Sequence, residues 1–202
     1  AYTELFADEL AESSPCVIFT KSEKTFKSVC ALGKEIIFQS TAGNRAADLN
    51  EFGVSQKSLY RGKSKMMKAS STGAYPENWQ YVEATQELHV GDAVFSNVSK
   101  NLMDFEVSGL RVVSSWLGYR MKTPSGRSSS PLDQIQAKGW THDGELLDLL
   151  WLVEFMVNIE ETAKILLQQV IDGETIPAKA LLDSPAKAQV TRGGSKNQGT
   201  LL

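Results

Sequence analysis

The spacing of hydrophobic and polar positions changes several times along the chain, and each change predicts a new element. Residues 2–12 alternate apolar and acidic positions at helical spacing, which predicts a short amphipathic helix. Cys16–Phe19 is an apolar run that predicts a short buried strand or an extended segment. Thr20-Lys21-Ser22-Glu23 then matches a capping box with Thr20 as the N-cap. An apolar stripe with a period of 3.6 residues follows it, which predicts a helix that ends near Thr41.

The middle of the chain predicts a small antiparallel sheet. Residues 43–78 are polar and contain scattered glycines, which favours long loops with short strands. Trp79–Glu83 and Glu87–Val90 are typical of strands, and Gly91-Asp92 predicts a tight turn into a third strand at 93–95. These segments together predict a meander.

The C-terminal part predicts helices again. Gly109–Arg120 has one apolar helical face. Two further helices are predicted at 144–157, capped by Asp143, and at about 159–172, with Gly173 at the C′ position. The polar composition after Leu182 predicts a flexible tail over 183–202. The expected fold class is therefore α+β, with one domain over residues 1–182 that combines a small sheet, packed helices and a C-terminal helical pair.

Composition narrows the classes of function. The chain has 202 residues, and its most apolar stretch, 145–157, is shorter than the roughly 20 residues of a membrane span. The two cysteines, Cys16 and Cys30, form no Cys-x-x-Cys pair, which excludes a zinc ribbon on ligand number. Cys30 lies on the apolar helical stripe and is predicted to be buried. The composition predicts a water-soluble protein of a reducing, cytoplasmic compartment.

Catalytic motifs are incomplete or absent in the sequence. Gly62-Lys63-Ser64 resembles the end of a P-loop, but Lys57 stands where the first glycine should be. The weak nuclease-like pattern at 131–138 has a Gln in place of the second acid. His89 and His142 have no recognisable nucleophile beside them and are interpreted as structural. The sequence contains no Asn-Pro-Pro-aromatic motif and no glycine-rich cofactor fingerprint, so this chain is not expected to be an enzyme or to bind a cofactor.

The distribution of charge is more informative than its total. The net charge of −3 argues against a non-specific DNA coat, yet residues 57–127 hold ten basic and six acidic residues. Lys- and Arg-rich loops can contact phosphates, although a solvated surface explains the same pattern, and Arg120 could instead stabilise a helix C-terminus. The candidate DNA-contacting residues are Lys57, Tyr60, Arg61, Lys63, Lys65, Lys68, Arg120, Lys122 and Arg127.

A run of motifs carries a family resemblance. The segment Asp104–Arg120, then Ser129–Asp133, Trp140 and the Glu145–Leu150 run resemble the C-terminal target-recognition (specificity) domain of type ISP restriction–modification enzymes. Leu88-His-Val-Gly-Asp92 and the pattern from Phe26 to Glu35 also match. The resemblance covers about 16–176 and weakens between 39 and 78, which holds the first basic cluster.

The resemblance implies a non-catalytic domain that recognises duplex DNA. It would place the target for the adenine methyltransferase and the helicase-like, ATP-dependent nuclease parts of the same bacterial polypeptide, which would use S-adenosylmethionine, ATP and Mg. Two alternatives stay open. One is a protein-interaction domain whose acidic, apolar helices dock on partner domains, and the other is an enzyme whose site has no recognisable pattern.

Overall fold

A computed structural model describes residues 17–42, 59–123, 142–177 and 180. The predicted helix at 2–12, Cys16 and the predicted tail at 183–202 lie outside the described residues, so these features and the domain boundary stay predictions. The helices are α1 (Glu23–Ser40), α2 (Lys100–Asp104), α3 (Val112–Tyr119) and α4 (Asp143–Ile171). The strands are β1 (Lys65–Lys68), β2 (Trp79–Val82), β3 (Glu87–Val90), β4 (Ala93–Ser96), β5 (Glu106–Val107) and β6 (Leu110–Arg111).

The predicted α+β class and the central meander are confirmed. Strands β2, β3 and β4 are consecutive antiparallel neighbours, and β1 adds to the free side of β4, so the order is β1-β4-β3-β2. The turn between β3 and β4 depends on Gly91, which has a φ of +56° that side-chain-bearing residues rarely adopt. The loop predicted before Trp79 contains the short strand β1.

One face of the sheet packs into the hydrophobic core. Leu88 and Val90 of β3 alternate with half-buried positions and are fully buried, as are Ala93 and Phe95 of β4. Helices α2, α3 and the first half of α4 cover this face. Their buried contributions are Leu102, Met103, Val113, Leu117, Leu146, Leu150 and Val153. The core therefore holds the sheet rigidly against α4.

The predicted C-terminal helical pair is wrong, because α4 is one continuous helix of 29 residues. The predicted break near Asn158 contains no glycine or proline, and asparagine alone costs a helix only a few tenths of a kcal/mol, roughly. Asp143 is the first helical residue and not the cap; its carboxylate accepts a hydrogen bond from the Ser70 amide at 2.8 Å. Gly173 follows the C-cap as predicted, where a Cβ would lie 2.9 Å from the Gln169 carbonyl oxygen.

The N-terminal expectations are partly corrected. Residues 17–19 form no buried strand: Val17 is 81% exposed, and only Thr20 forms a bridge, to Thr175. Helix α1 confirms the predicted range, but its N-cap is Ser22, whose side chain accepts from the Thr25 amide. Thr20 cannot serve as the cap because its hydroxyl accepts from the Ser22 amide at 3.1 Å.

Two smaller predictions are also wrong. Cys30 is half-buried, because the apolar stripe of α1 is only partly covered by α4 in the described part of the chain. The helix predicted from Gly109 begins at Val112. Ser108 and Gly109 have φ values of +52° and +80°, which suit a two-residue hairpin turn, so the preceding residues form the β5–β6 hairpin instead.

Candidate nucleic-acid interface

The predicted basic residues fall on two separate parts of the fold. Lys57 and Arg127 lie outside the described residues. Residues 60–64 run along α4 and lead into β1, which carries Lys65 and Lys68. Arg120 is the C-cap of α3, and Lys122 follows it. We call the first set the β1 segment (residues 60–68) and the second the α3 segment (Arg111, Arg120 and Lys122).

The backbone of the β1 segment is fastened to α4. The Glu154 carboxylate accepts from the Lys63 amide at 2.9 and 3.1 Å, and the Trp151 indole donates to the Ser64 carbonyl at 2.9 Å. Gly62 permits this approach, since a Cβ there would lie 2.2 Å from a Glu154 oxygen and 2.8 Å from the Trp151 ring. The glycine that resembled part of a P-loop therefore serves close packing.

Tyr60 is part of this attachment. Its hydroxyl accepts from the Asn158 amide group at 2.9 Å, and its ring lies 5.8 Å from that of Phe155. Burial and, secondarily, the nearby Glu154 carboxylate raise the pKa of Tyr60. The side chain is thus engaged with α4, and its contact with DNA stays a prediction.

Arg61 is exposed but already has partners. Its guanidinium lies 3.1 Å from an Asp148 carboxylate oxygen and stacks 4.3 Å from the centre of the Trp151 ring. The ion pair is exposed to solvent, so its contribution to stability is small. The ion pair matters more for DNA binding, because the negative charge of Asp148 offsets the positive charge that Arg61 would present to a phosphate.

Strand β1 carries two lysines, Lys65 and Lys68, and Lys63 lies just before it. All four of its residues are exposed, and it is an edge strand. Neither Lys63 nor Lys65 forms an ion pair with any residue that the structure describes, whereas Lys68 lies 3.9 Å from an Asp92 oxygen. Lys63 is held through its backbone alone, so its ammonium group remains available to a ligand.

Asp92 organises the loop beside Lys68. Its carboxylate accepts from the Ser71 amide at 3.0 Å and from the Ser70 hydroxyl at 3.1 Å. Hydrogen bonding, chiefly from Ser71, lowers the pKa of Asp92 to about 2. The carboxylate is therefore ionised at neutral pH and reduces the positive potential around Lys68.

The cations of the α3 segment are engaged with neighbouring groups. Lys122 pairs with Glu77 at 2.5 Å, which raises the pKa of Lys122 through a hydrogen bond and charge attraction. The Arg111 guanidinium lies 3.6 Å from an Asp104 oxygen. Arg120 stacks 4.1 Å from the centre of the Trp116 ring, in agreement with the structural alternative that the sequence left open.

The two segments approach each other at two cavities. Arg61 and Trp116, the ring under Arg120, line a cavity of about 260 Å³ beside α4. Lys122 and Asp92, the partner of Lys68, line a second cavity of about 530 Å³. The predicted residues therefore border two separate cavities and do not form a single cluster.

Sequence reasoning missed the residues that hold the β1 segment. Glu154 and Trp151 lie about 90 positions away along the chain and on a helix that read as core. No local signal marks them, although the acids on the otherwise apolar stretch at 145–157 could have suggested that one side of α4 meets polar partners. The interface therefore depends on long-range packing.

The described residues offer few other groups that could bind a metal or act in catalysis. His89 lies 3.3 Å from a Glu87 oxygen, and His142 is buried at the start of α4. Within residues 17–42, 59–123 and 142–177, no group of three or more potential metal ligands comes together. In the same part of the chain, no helix is long and apolar enough to cross a membrane.

Comparison with known proteins identifies a family. A model described as the type ISP C-terminal specificity domain matches residues 1–149. The match begins earlier than the sequence resemblance and ends inside α4. No curated protein matches, and no solved structure matches either.

Proposed function

The chain belongs to the type ISP C-terminal specificity domain family, which implies DNA target recognition within a restriction–modification enzyme, and we propose how this domain performs it. It binds duplex DNA with the exposed β1 segment and fixes a short target site. The domain makes and breaks no covalent bonds. Lys63, Lys65 and Lys68 contact phosphates, and nearby polar side chains distinguish the bases.

One observation supports this assignment most strongly. In the described part of the chain, Lys63 and Lys65 are exposed and unpaired; Lys65 begins the edge strand β1, and the backbone just before it, at residues 63 and 64, is anchored by Glu154 and Trp151. Cations on a rigid support bind phosphates with little loss of conformational freedom. Arg61, Arg111 and Lys122 each face a carboxylate and fit this role less well.

The acidic net charge is compatible with this proposal. Two of the acidic residues, Asp148 and Glu154, lie on α4 and are already engaged with the β1 segment. Asp148 pairs with Arg61, and Glu154 accepts a hydrogen bond from the Lys63 amide. Phosphate contacts depend on the local potential and not on the total charge. The domain can therefore carry −3 overall and still present a positive edge.

The domain would act together with other parts of a longer polypeptide. By positioning the duplex, it would allow an adenine methyltransferase to flip out the target base and an ATP-dependent nuclease to act on the same DNA. S-adenosylmethionine, ATP and Mg would belong to those parts, and the specificity domain itself would need no cofactor. Such an enzyme would work in the bacterial cytoplasm.

A titration of the 202-residue chain with duplex DNA tests the proposal. Duplexes carrying randomised sites are bound at two salt concentrations, and the bound fraction is sequenced. We expect salt-dependent binding with enrichment of one short sequence. Binding to no duplex, even at low salt, would contradict the proposed function, and binding without any enriched sequence would reduce it to non-specific attachment.

A second candidate, docking on a neighbouring domain, has its own support. An apolar groove of about 390 Å³ lies between α1 and α4, and its lining includes Val29, Leu32, Ile36, Leu166 and Leu167. Val17 also lines the groove and is 81% exposed, so this apolar surface has no cover among the described residues. We propose that an adjoining domain of the same polypeptide covers the groove. Val29→Asp should then weaken that association and leave DNA binding unchanged.

A further inference from the structure

The pairing of β1 with β4 shifts register between Met66 and Lys68, and this shift decides which face of the sheet carries Lys68. Lys65 lies opposite Ser96 and Met66 opposite Phe95, but Lys68 lies opposite Val94. Met67 is thus an extra residue, as in a β-bulge. In a regular strand, residues three apart point to opposite faces, whereas the extra residue returns Lys68 to the face of Lys65.

The shared face is the one that points away from the core. Residues opposite each other in an antiparallel pair lie on the same face, and Phe95 is fully buried. Its neighbours Val94 and Ser96 therefore face outwards, together with Lys68 and Lys65. The outer face of the sheet consists of Lys65, Lys68, Gln80, Val82, Glu87, His89, Val94 and Ser96.

A row of these side chains crosses all four strands. Lys68 lies opposite Val94, Val94 opposite His89, and His89 opposite Gln80. With neighbouring strands about 4.8 Å apart, the row from Lys68 to Gln80 spans roughly 14 Å. This length is close to the width of the DNA major groove, about 12 Å, plus the backbone at its edge.

The side chains along the row change from cationic at β1 to hydrogen-bonding at β2 and β3. This order matches the change from the phosphate backbone to the base edges across a DNA groove. The two lysines lie at the β1 edge and favour phosphate. Gln80 is exposed and can both donate and accept, as recognition of an adenine edge requires, while the Glu87 carboxylate can accept from a cytosine amino group but repels phosphate. A phosphate strand is therefore favoured at β1, with base edges over β2 and β3.

We infer that the outer face of the four-stranded sheet lies in the major groove, with Lys65 and Lys68 on the phosphate backbone and Gln80 in contact with a base edge. This inference rests on the proposed function and adds the face, the groove and a specificity-determining residue. The bulge at Met67 is the structural feature that places both lysines on this face.

Two variants of the 202-residue chain test the inference by titration with randomised duplexes. Lys65→Ala/Lys68→Ala should lower affinity for all sequences and reduce the slope of log affinity against log salt by about 1 to 2, the smaller value applying if the Asp92 pair already offsets the charge of Lys68. Gln80→Ala should leave that slope unchanged and relax the preference at one base pair by roughly tenfold to a hundredfold. Circular dichroism verifies that each variant is folded.

Matched controls separate the possible outcomes. Lys24→Ala/Lys27→Ala removes the same charge from α1, and Gln169→Ala removes an exposed glutamine from α4; both should bind as the parent chain does. If the parent chain binds no duplex, the proposed function fails. If it binds a preferred site but the sheet variants match their controls, DNA recognition stands and the outer-face inference is wrong. Loss of binding only in the lysine variant would also overturn the base-reading role of Gln80.

Discussion

The β1 segment holds four basic residues and the α3 segment three, and the two segments differ in what surrounds these cations. Lys63 and Lys65 have no acidic partner in the described part of the chain, while Arg111 and Lys122 each face a carboxylate. The β1 segment is instead held through its backbone, by Glu154 and Trp151. Anchoring through the backbone leaves the ammonium groups available to a ligand, whereas anchoring through ion pairs occupies them.

The largest expected effect comes from disturbing this backbone attachment. Gly62→Ala would place a Cβ against Glu154 and Trp151, so the loop must move and its hydrogen bonds weaken. We expect a loss of about 2 kcal/mol in the free energy of unfolding, measured by urea denaturation. DNA affinity should fall as well, because Lys63 and Lys65 lose their rigid support.

Gly73→Ala is the matched control for that variant. A Cβ at Gly73 meets no atom within 4 Å, so its substitution should change the unfolding free energy little. Equal destabilisation by the two alanines would show that the contact between Gly62 and α4 is unimportant.

A smaller effect should separate two neighbouring cations of the β1 segment. Arg61→Ala removes an exposed ion pair and a stacking contact, so it should cost about 0.5–1 kcal/mol of stability and little DNA affinity. Lys63→Ala should show the reverse, with unchanged stability and weaker binding. Urea denaturation and DNA titration of both variants make the comparison, and equal losses of affinity would contradict it.

The ion pairing of Lys68 is intermediate between the unpaired Lys63 and the closely paired Lys122. Its partner Asp92 allows this pairing to be tested by a change of pH. The lowered pKa of Asp92 means that its carboxylate stabilises the fold above its ordinary pKa of 3.8. This contribution is lost as pH falls towards about 2. Asp92→Asn should therefore be less stable than the parent chain at neutral pH, and the difference should disappear on acidification over that range.

Urea midpoints at pH 7, 4 and 2 provide the measurement. A stability difference that persists unchanged at pH 2 would show that the carboxylate charge is not its cause. At neutral pH, the same variant should bind DNA slightly more tightly, since it removes an acid that lies 3.9 Å from Lys68.

Sequence periodicity predicted the sheet well because its signals are local. Strands β3 and β4 alternate buried and half-buried residues, and Gly91 marks the turn between them. The continuous helix α4 was missed because the sequence near Asn158 was taken for a break, although it contains no residue that stops a helix. The β5–β6 hairpin was missed because its Ser108-Gly109 turn also suits the start of a helix.

The candidate site could be predicted only as a set of charges. The sequence places the basic residues, but the partners that distinguish them lie far away along the chain: Asp148 for Arg61, and Glu77 for Lys122. Likewise, the face of Lys68 depends on a bulge whose register requires the partner strand β4. Pairing and register are long-range properties, so composition could not provide them.

The salt dependence of DNA binding by two matched double variants tests the central claim most directly. Lys63→Ala/Lys65→Ala and Arg111→Ala/Lys122→Ala remove the same charge, the first from unpaired positions and the second from ion-paired ones. We predict that the first lowers the slope of log affinity against log salt by about 2 and that the second changes it by well under 1. Equal slopes for the two variants, or a larger decrease for the second, would contradict the assignment of the β1 segment as the DNA-contacting surface.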